Sequence, residues 1–262
     1  MLVSFLLPTR NMPNETLQSL ETLINNASTK NKWEVLIAID SDDEPSLNII
    51  PKIDNLFSRH DFCEYNIIIT ERQGYFGLNY YYNKLAEMAQ GELLFLWNDD
   101  VMMKSTHWDN LLKNDALKWP DKICFFPIET NILDAVWHND LVKTFGIYSS
   151  GFPIVRKEWL NIVGHLTKDF RNDSYIWYSA VGYSEPCRVC ITHMDKASSS
   201  QEDYNKDKKY SVSREEFKSN VRQDNYLIQK YMWELKYNSD KFFQYNDVLE
   251  KFHFNNIKGN ED

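Results

Sequence analysis

Apolar runs of strand length alternate with stretches of helical period through the first hundred residues, and that alternation leaves few folds open. Leu2 to Leu7 is a short apolar run ending at Pro8. After the cap-like Asn14, Thr16 to Asn25 carries Leu17, Leu20, Leu23 and Ile24 at helical spacing. Trp33 to Ile39 reads as a second buried strand, stopped by the acidic turn Asp40 to Asp43, and Ile49 to Phe57 as a second helix. Tyr65 to Thr70, Tyr80 to Ala89 and Glu92 to Trp97 continue as strand, helix and strand. This order predicts an α/β fold: a mostly parallel central sheet, joined by right-handed crossovers and flanked by helices on both faces.

In such sheets ligands bind beyond the carboxyl ends of the strands. The residues there are Pro8-Thr9-Arg10, Asp40 to Asp43, Thr70 to Gly74 and Asn98-Asp99-Asp100, a polar and mostly acidic set. Adjacent carboxylates at Asp99 and Asp100 can offer hard oxygen ligands, and Mg2+ or Mn2+ is typically held by one or two such groups plus substrate phosphates and water. Asn-Asp-Asp is equally ordinary turn chemistry. Asp42 and Asp43 read more simply as solvated acids, and Gln73 and Gly74 fit a structural turn as well as an approach to a ligand.

Three stretches together resemble the GT-A fold glycosyltransferases of family 2: Val3 to Asn11, Glu34 to Asp43, and Asn83 followed by Gly91 to Asp100. The likeness covers about the first 110 residues. It implies a Rossmann-like nucleotide-sugar-binding domain in which Pro8, Thr9 and Arg10 flank the nucleotide, Asp40 accepts a hydrogen bond from the base, and Gln73 and Gly74 lie near the nucleoside. Asp100 would be the main ligand of Mn2+ or Mg2+, with Asn98 and Asp99 directed toward the ribose or sugar. Two positions depart from the family pattern: Asn98 stands where the first Asp of Asp-x-Asp is usual, and Tyr82 stands where an Arg often precedes the family's Asn.

The same resemblance places the acceptor in the second half. Gly151 to Arg156 is similar to the segment preceding the family's acceptor helix, and Asp173, in Phe170-Arg171-Asn172-Asp173, is the expected catalytic base, with Asp169 in reserve. The competing role for Asp173 is a helix cap. His193, after the last expected strand at Arg188 to Thr192, would complete the metal shell. Expected further elements are a strand at Ile123 to Ile128, a loop into a strand over Gly146 to Val155, and helices at Arg156 to Val163 and Ser174 to Val181. The division is a donor half (1–110), an acceptor and catalytic half (111–197), a mobile polar loop (198–214) and a helical extension (215–262). The loop is suited to act as a lid, with Lys206, Lys208, Lys209 or Arg214 reaching the diphosphate.

The expected activity is metal-dependent transfer of a sugar from a nucleotide sugar, with UDP the expected carrier, to a carbohydrate or other hydroxyl acceptor, with inversion. A nucleotidyltransferase is an alternative, although Pro8 to Pro13 lacks the glycine-rich loop that such enzymes usually carry. A non-catalytic nucleotide- or carbohydrate-binding module is another, kept open by Asn98. With 29 Lys plus Arg against 38 Asp plus Glu, the net charge of −9 argues against nucleic acid as a partner. No apolar run approaches a membrane span, the start lacks the basic region of a signal peptide, and four scattered cysteines do not make a disulfide framework, so a cytoplasmic protein is expected. Cys187 and Cys190 have a zinc-like spacing, but with His193 they provide three ligands where a structural site needs four. The 15 Tyr and 8 Trp hint at a surface for ring-shaped ligands, while Tyr80 to Tyr82 and Trp97 read as packing. Trp137, Trp159, Trp177 and Tyr178 fall in the acceptor half, where they suit sugar stacking or core packing.

Overall fold

The computed structural model describes residues 1–130, 151–180, 182–194 and 213–237. The expected lid at 198–214 lies outside them except for its last two positions, as do Trp137 and the end of the helical extension.

Among the described residues, eight strands, with the ranges given below, form one sheet in the order β3-β2-β1-β4-β7-β6-β8-β5. Its first half is parallel: β1 (Val3–Thr9) lies between β2 (Trp33–Asp40) and β4 (Leu93–Leu96), and β3 (Cys63–Thr70) pairs outside β2. β7 (Ile154–Arg156) turns the direction by pairing antiparallel with both β4 and β6 (Cys124–Glu129). β8 (Ser184–His193) then runs parallel to β6, and short β5 (Val101–Met103) closes the edge antiparallel to it.

Alternation along the strands divides the interior in two. Val3, Phe5 and Leu7 of β1 join Trp33, Val35 and Ile37 of β2 under α1 (Pro13–Asn25), α3 (Ile50–Phe57) and α5 (Trp108–Lys118). The other face carries Leu6, Leu36, Ala38, Leu94 and Leu96 against α4 (Leu78–Met88), α6 (Glu158–Val163), α7 (Asn172–Ser179) and α8 (Arg214–Tyr237). Short α2 (Glu44–Leu47) follows β2. Aromatic residues dominate the first face: Phe5 meets Trp97 and Trp108 edge-on at 5.3 and 5.0 Å, and Trp33 meets Trp108 at 5.3 Å. Trp33, Trp97, Trp108 and Trp159 are all fully buried, so much of the aromatic excess serves packing and not a ligand surface.

Several boundaries differ from the sequence reading. α1 begins at Pro13, whose fixed φ suits the first helical position, so Asn14 lies inside the helix and not at its cap. α4 starts at Leu78, and β3 and β8 extend two and four residues further toward the N-terminus than expected. β5 and α5 are elements that the sequence reading did not include. No helix among the described residues is long and apolar enough to cross a membrane.

Candidate functional site

Parallel pairing brings the carboxyl ends of β1, β2 and β4 to one rim, and a cleft of about 240 Å³ opens there. Its walls include Pro8, Thr9, Arg10, Asp40, Gly74 and Asn98 to Asp100, with Tyr75, Leu78 and Tyr81 opposite. Gln73 is exposed; its backbone N–H donates to the Tyr81 hydroxyl at 2.7 Å, while its side chain donates to the Glu71 carbonyl.

On the β2 side, buried Asp40 accepts from the Tyr81 hydroxyl at 2.5 Å and from Arg10 Nη1 at 2.9 Å. Arg10 also donates to both oxygens of Asp42, at 2.6 and 3.2 Å. Asp42 is therefore paired, not merely solvated, and Arg10 holds its carboxyl below the usual range. Asp43 is spent on structure: buried, it accepts from the backbone N–H of Ser46 at the start of α2 and from that of Asn11.

On the β4 side, Thr9 donates to Asp99 at 2.8 Å and lies 2.8 Å from the Thr16 hydroxyl of α1. Burial raises the Asp99 carboxyl to about 7; the Thr9 hydrogen bond opposes the shift and the neighbouring Asp100 adds to it. Asn98 Oδ1 accepts from the Tyr82 hydroxyl at 2.7 Å. The two residues that depart from the family pattern thus touch each other, forming a neutral pair. Burial raises the Tyr82 hydroxyl well above its usual value, and the charges of Asp99, Asp173 and Asp100 reinforce this.

Register brings in the remaining groups. Val101 opposes His193 across β5 and β8, and the backbone N–H of Met194 donates to the Asp100 carbonyl at 2.7 Å, so His193 comes to rest beside Asp100 with Nδ1 3.9 Å from Oδ2. Glu129, ending β6, lies 3.6 Å from His193 Nε2 and accepts from the backbone N–H of Gly151 at 2.5 Å. Asp100 and Glu129 together push the imidazole up to about 9. Asp173 lies in the first turn of α7, one residue past its start, so it is not the cap residue. Burial raises its carboxyl, hydrogen bonding to the backbone of Ser174 opposes this, and the charge of Glu129 adds to it. Asp169 is committed elsewhere: 1% exposed, it accepts three hydrogen bonds from Arg171, at 2.8 to 2.9 Å.

Among the described residues, no three His, Cys, Asp or Glu side chains form a ready-made metal cage. Mn2+ and Mg2+ do not need one, because substrate phosphates and water supply most of the octahedron. Asp100 Oδ1 is buried with no hydrogen-bond partner and His193 lies next to it, a donor set that fits such an ion. Cys187 is buried and Cys190 half-buried on β8, both as free thiols.

The sequence reading took Tyr81 and Tyr82 as packing, with Tyr82 also a departure from the family pattern, and missed Glu129. Glu129 ends an apolar strand, as Asp40 does, and the rule that found Asp40 finds it too. No comparable signal marks Tyr81, and Tyr82 is marked only by its departure from the family pattern; their hydroxyl partners come from β2 and from the turn after β4.

Comparison with curated proteins finds no match. Solved structures share the fold. A mannosyltransferase from Pyrobaculum calidifontis, in complex with GDP-Man and Mn2+, superposes with TM-score 0.59 at 15% identity, over 86% of this chain and 69% of that one. S. aureus TarS 1-349 in complex with UDP-GlcNAc gives 0.61 at 15% identity, over 86% of this chain and 65% of that one. Glucosyl-3-phosphoglycerate synthase from Mycobacterium tuberculosis, in complex with Mn2+, UDP and phosphoglyceric acid, gives 0.51 at 12%, over 75% and 72%. At these identities the likeness concerns the GT-A fold alone. The model of glycosyl transferase family 2 matches residues 4–168, more than half of the sequence, and the chain therefore belongs to that family.

Proposed function

We propose that this chain transfers a sugar from a nucleotide-sugar donor, read as a UDP-sugar, to a hydroxyl acceptor with inversion, and that Mn2+ or Mg2+ is required. The observation that carries the reading is the buried, unpartnered Asp100 Oδ1 beside a cleft at the ends of β1, β2 and β4. The structural relatives named above are in complexes with nucleotides or nucleotide sugars, two of them with Mn2+ as well, which supports the same class of ligand.

Each group then has a task. The Tyr81 and Arg10 hydrogen bonds hold Asp40 in place to accept from the base, and Tyr75 adds an aromatic wall. Thr9 fixes Asp99, and Tyr82 fixes the Asn98 amide, toward the ribose or sugar. Asp100, assisted by His193, would hold the cation, which when bound offsets the charge of the departing diphosphate. Asp173 takes the proton from the acceptor hydroxyl as that oxygen attacks the anomeric carbon; its raised carboxyl is a stronger base than an ordinary aspartate. Asp169, tied to Arg171, is no longer proposed for that role.

Incubation with Mn2+ and a panel of UDP- and GDP-sugars tests this. Slow donor hydrolysis that stops in EDTA is expected. Binding of a donor without turnover under any condition would favour a non-catalytic module, and no binding at all would overturn both.

A further inference from the structure

The C-terminal helix carries a buried carboxylate with no part in the cleft. Asp224 of α8 is fully buried, and each of its partners comes from the stretch leading into or forming α7. The Tyr175 hydroxyl donates to Oδ2 at 2.5 Å, His165 Nε2 lies 2.7 Å from the same oxygen, and Lys168 Nζ lies 3.4 Å from Oδ1. Tyr175 is two residues beyond Asp173 on the same helix, and it is fully buried itself.

A second contact fixes the start of α7. The Arg171 guanidinium, locked onto Asp169, stacks 4.2 Å from the ring centre of Phe217, which lies on the same face of α8 as Asp224, about two turns before it. α7 has almost no amphipathic character of its own, with buried side chains on most sides, and at eight residues it is too short to be stable by propensity alone. Its orientation is therefore set by what grips it. The grip at the end that carries Asp173 is polar and directional, whereas apolar contacts alone would let a short helix rotate or slide.

We infer that Asp224 is a positioning residue: through Tyr175 it fixes the rotation of α7 and thereby aims Asp173 at the acceptor side of the cleft. The C-terminal helix is then part of the reaction apparatus, although it contributes no group to the cleft. This rests on the reading of Asp173 as the base. Displacing a reacting group by about 1 Å costs up to about 100-fold in rate, while donor binding at β1, β2 and β4, on other elements, is untouched.

The test compares Tyr175→Phe, Asp224→Asn and Asp173→Asn with the unmodified chain, reading kcat, donor KM, and hydrogen exchange over 172–179. Tyr175→Phe, which removes one hydroxyl and keeps the ring, is expected to lower kcat about tenfold with donor KM within twofold, and to speed exchange in α7 but not in β2. Asp224→Asn should act in the same direction and more strongly; if it does not fold, Tyr175→Phe decides. Unchanged kcat in Tyr175→Phe, with only a lower melting temperature, overturns the inference. Full activity in Asp173→Asn instead overturns the assignment of the base, so the two failures are distinguishable.

Discussion

Asp99 and Asp100 are neighbours in sequence with opposite circumstances. Asp99 is half-buried and hydrogen-bonded to Thr9, whereas Asp100 keeps one oxygen without a partner and shares its other side with His193. Because the Asp99 carboxyl is raised from 3.8 to about 7, the folded chain holds that proton more tightly than the unfolded chain does. The cost to stability is absent below the ordinary value, grows as the pH rises toward 7 and is constant above it. In EDTA, Asp99→Asn should therefore gain melting temperature over the unmodified protein more at pH 8 than at pH 5; an equal difference at both would contradict the burial of this charge. Asp173 supports a second expectation. As the proposed base with a raised carboxyl, it should give a kcat/KM that falls on the acid side at a pH above the ordinary carboxylate range, and Asp173→Asn should lower kcat by about 100-fold or more. Asp99 and Asp100 were readable from sequence because they follow an apolar run, whereas Asp173 was expected only from the family resemblance. The hydroxyl roles of Tyr81 and Tyr82 were not readable, because in a helix a tyrosine's local signal is apolar bulk, and the groups that accept from these hydroxyls lie 41 and 16 residues away.

Elements with clean apolar periods were readable, and α5, with two acids on its buried face, was not. α5 buries Trp108, Leu112 and Ala116 at helical spacing, but Asp109 and Asp115 are buried among them and blur the pattern. Tertiary partners account for both acids: Asp109 accepts from Ser28 and Asn31, and Asp115 accepts from the backbone and side chain of Arg188. β5 is three residues long, too short to give a period of its own. At the other end of the sheet, Gly91 shows why a glycine precedes β4. Its N–H donates to the Ser4 hydroxyl at 2.8 Å, Ser4 donates to buried Glu34 at 2.5 Å, and a Cβ on Gly91 would lie 2.5 Å from the Ser4 backbone nitrogen. Gly91→Ala is expected to cost about 1–3 kcal/mol in denaturant unfolding, because β4 must shift against β1. A variant as stable as the parent would mean that this end of the sheet yields freely.

For the chain as a whole, part of the acid excess behind the net charge of −9 lies at the cleft. Of the five acids near the strand ends, Asp40 and Asp42 share Arg10, and Asp43 caps α2. Among the described residues, Asp99 and Asp100 line the cleft without a cationic partner of the Arg10 kind, so under the proposed function the repulsion of a diphosphate would come mainly from the turn after β4. The reversal of strand direction at β7 brings β6 and β8 alongside, and with them Glu129, His193 and the approach to α7. A parallel sheet alone, as read from the first hundred residues, contains half of this site. Calorimetric titration of UDP and GDP into the protein, with Mn2+ and then with EDTA, tests the need for a cation most directly. At least one nucleotide should bind at least tenfold more tightly with Mn2+, and Asp100→Asn should remove that difference. Equal affinity in EDTA, or a Mn2+ dependence that survives Asp100→Asn, would contradict it.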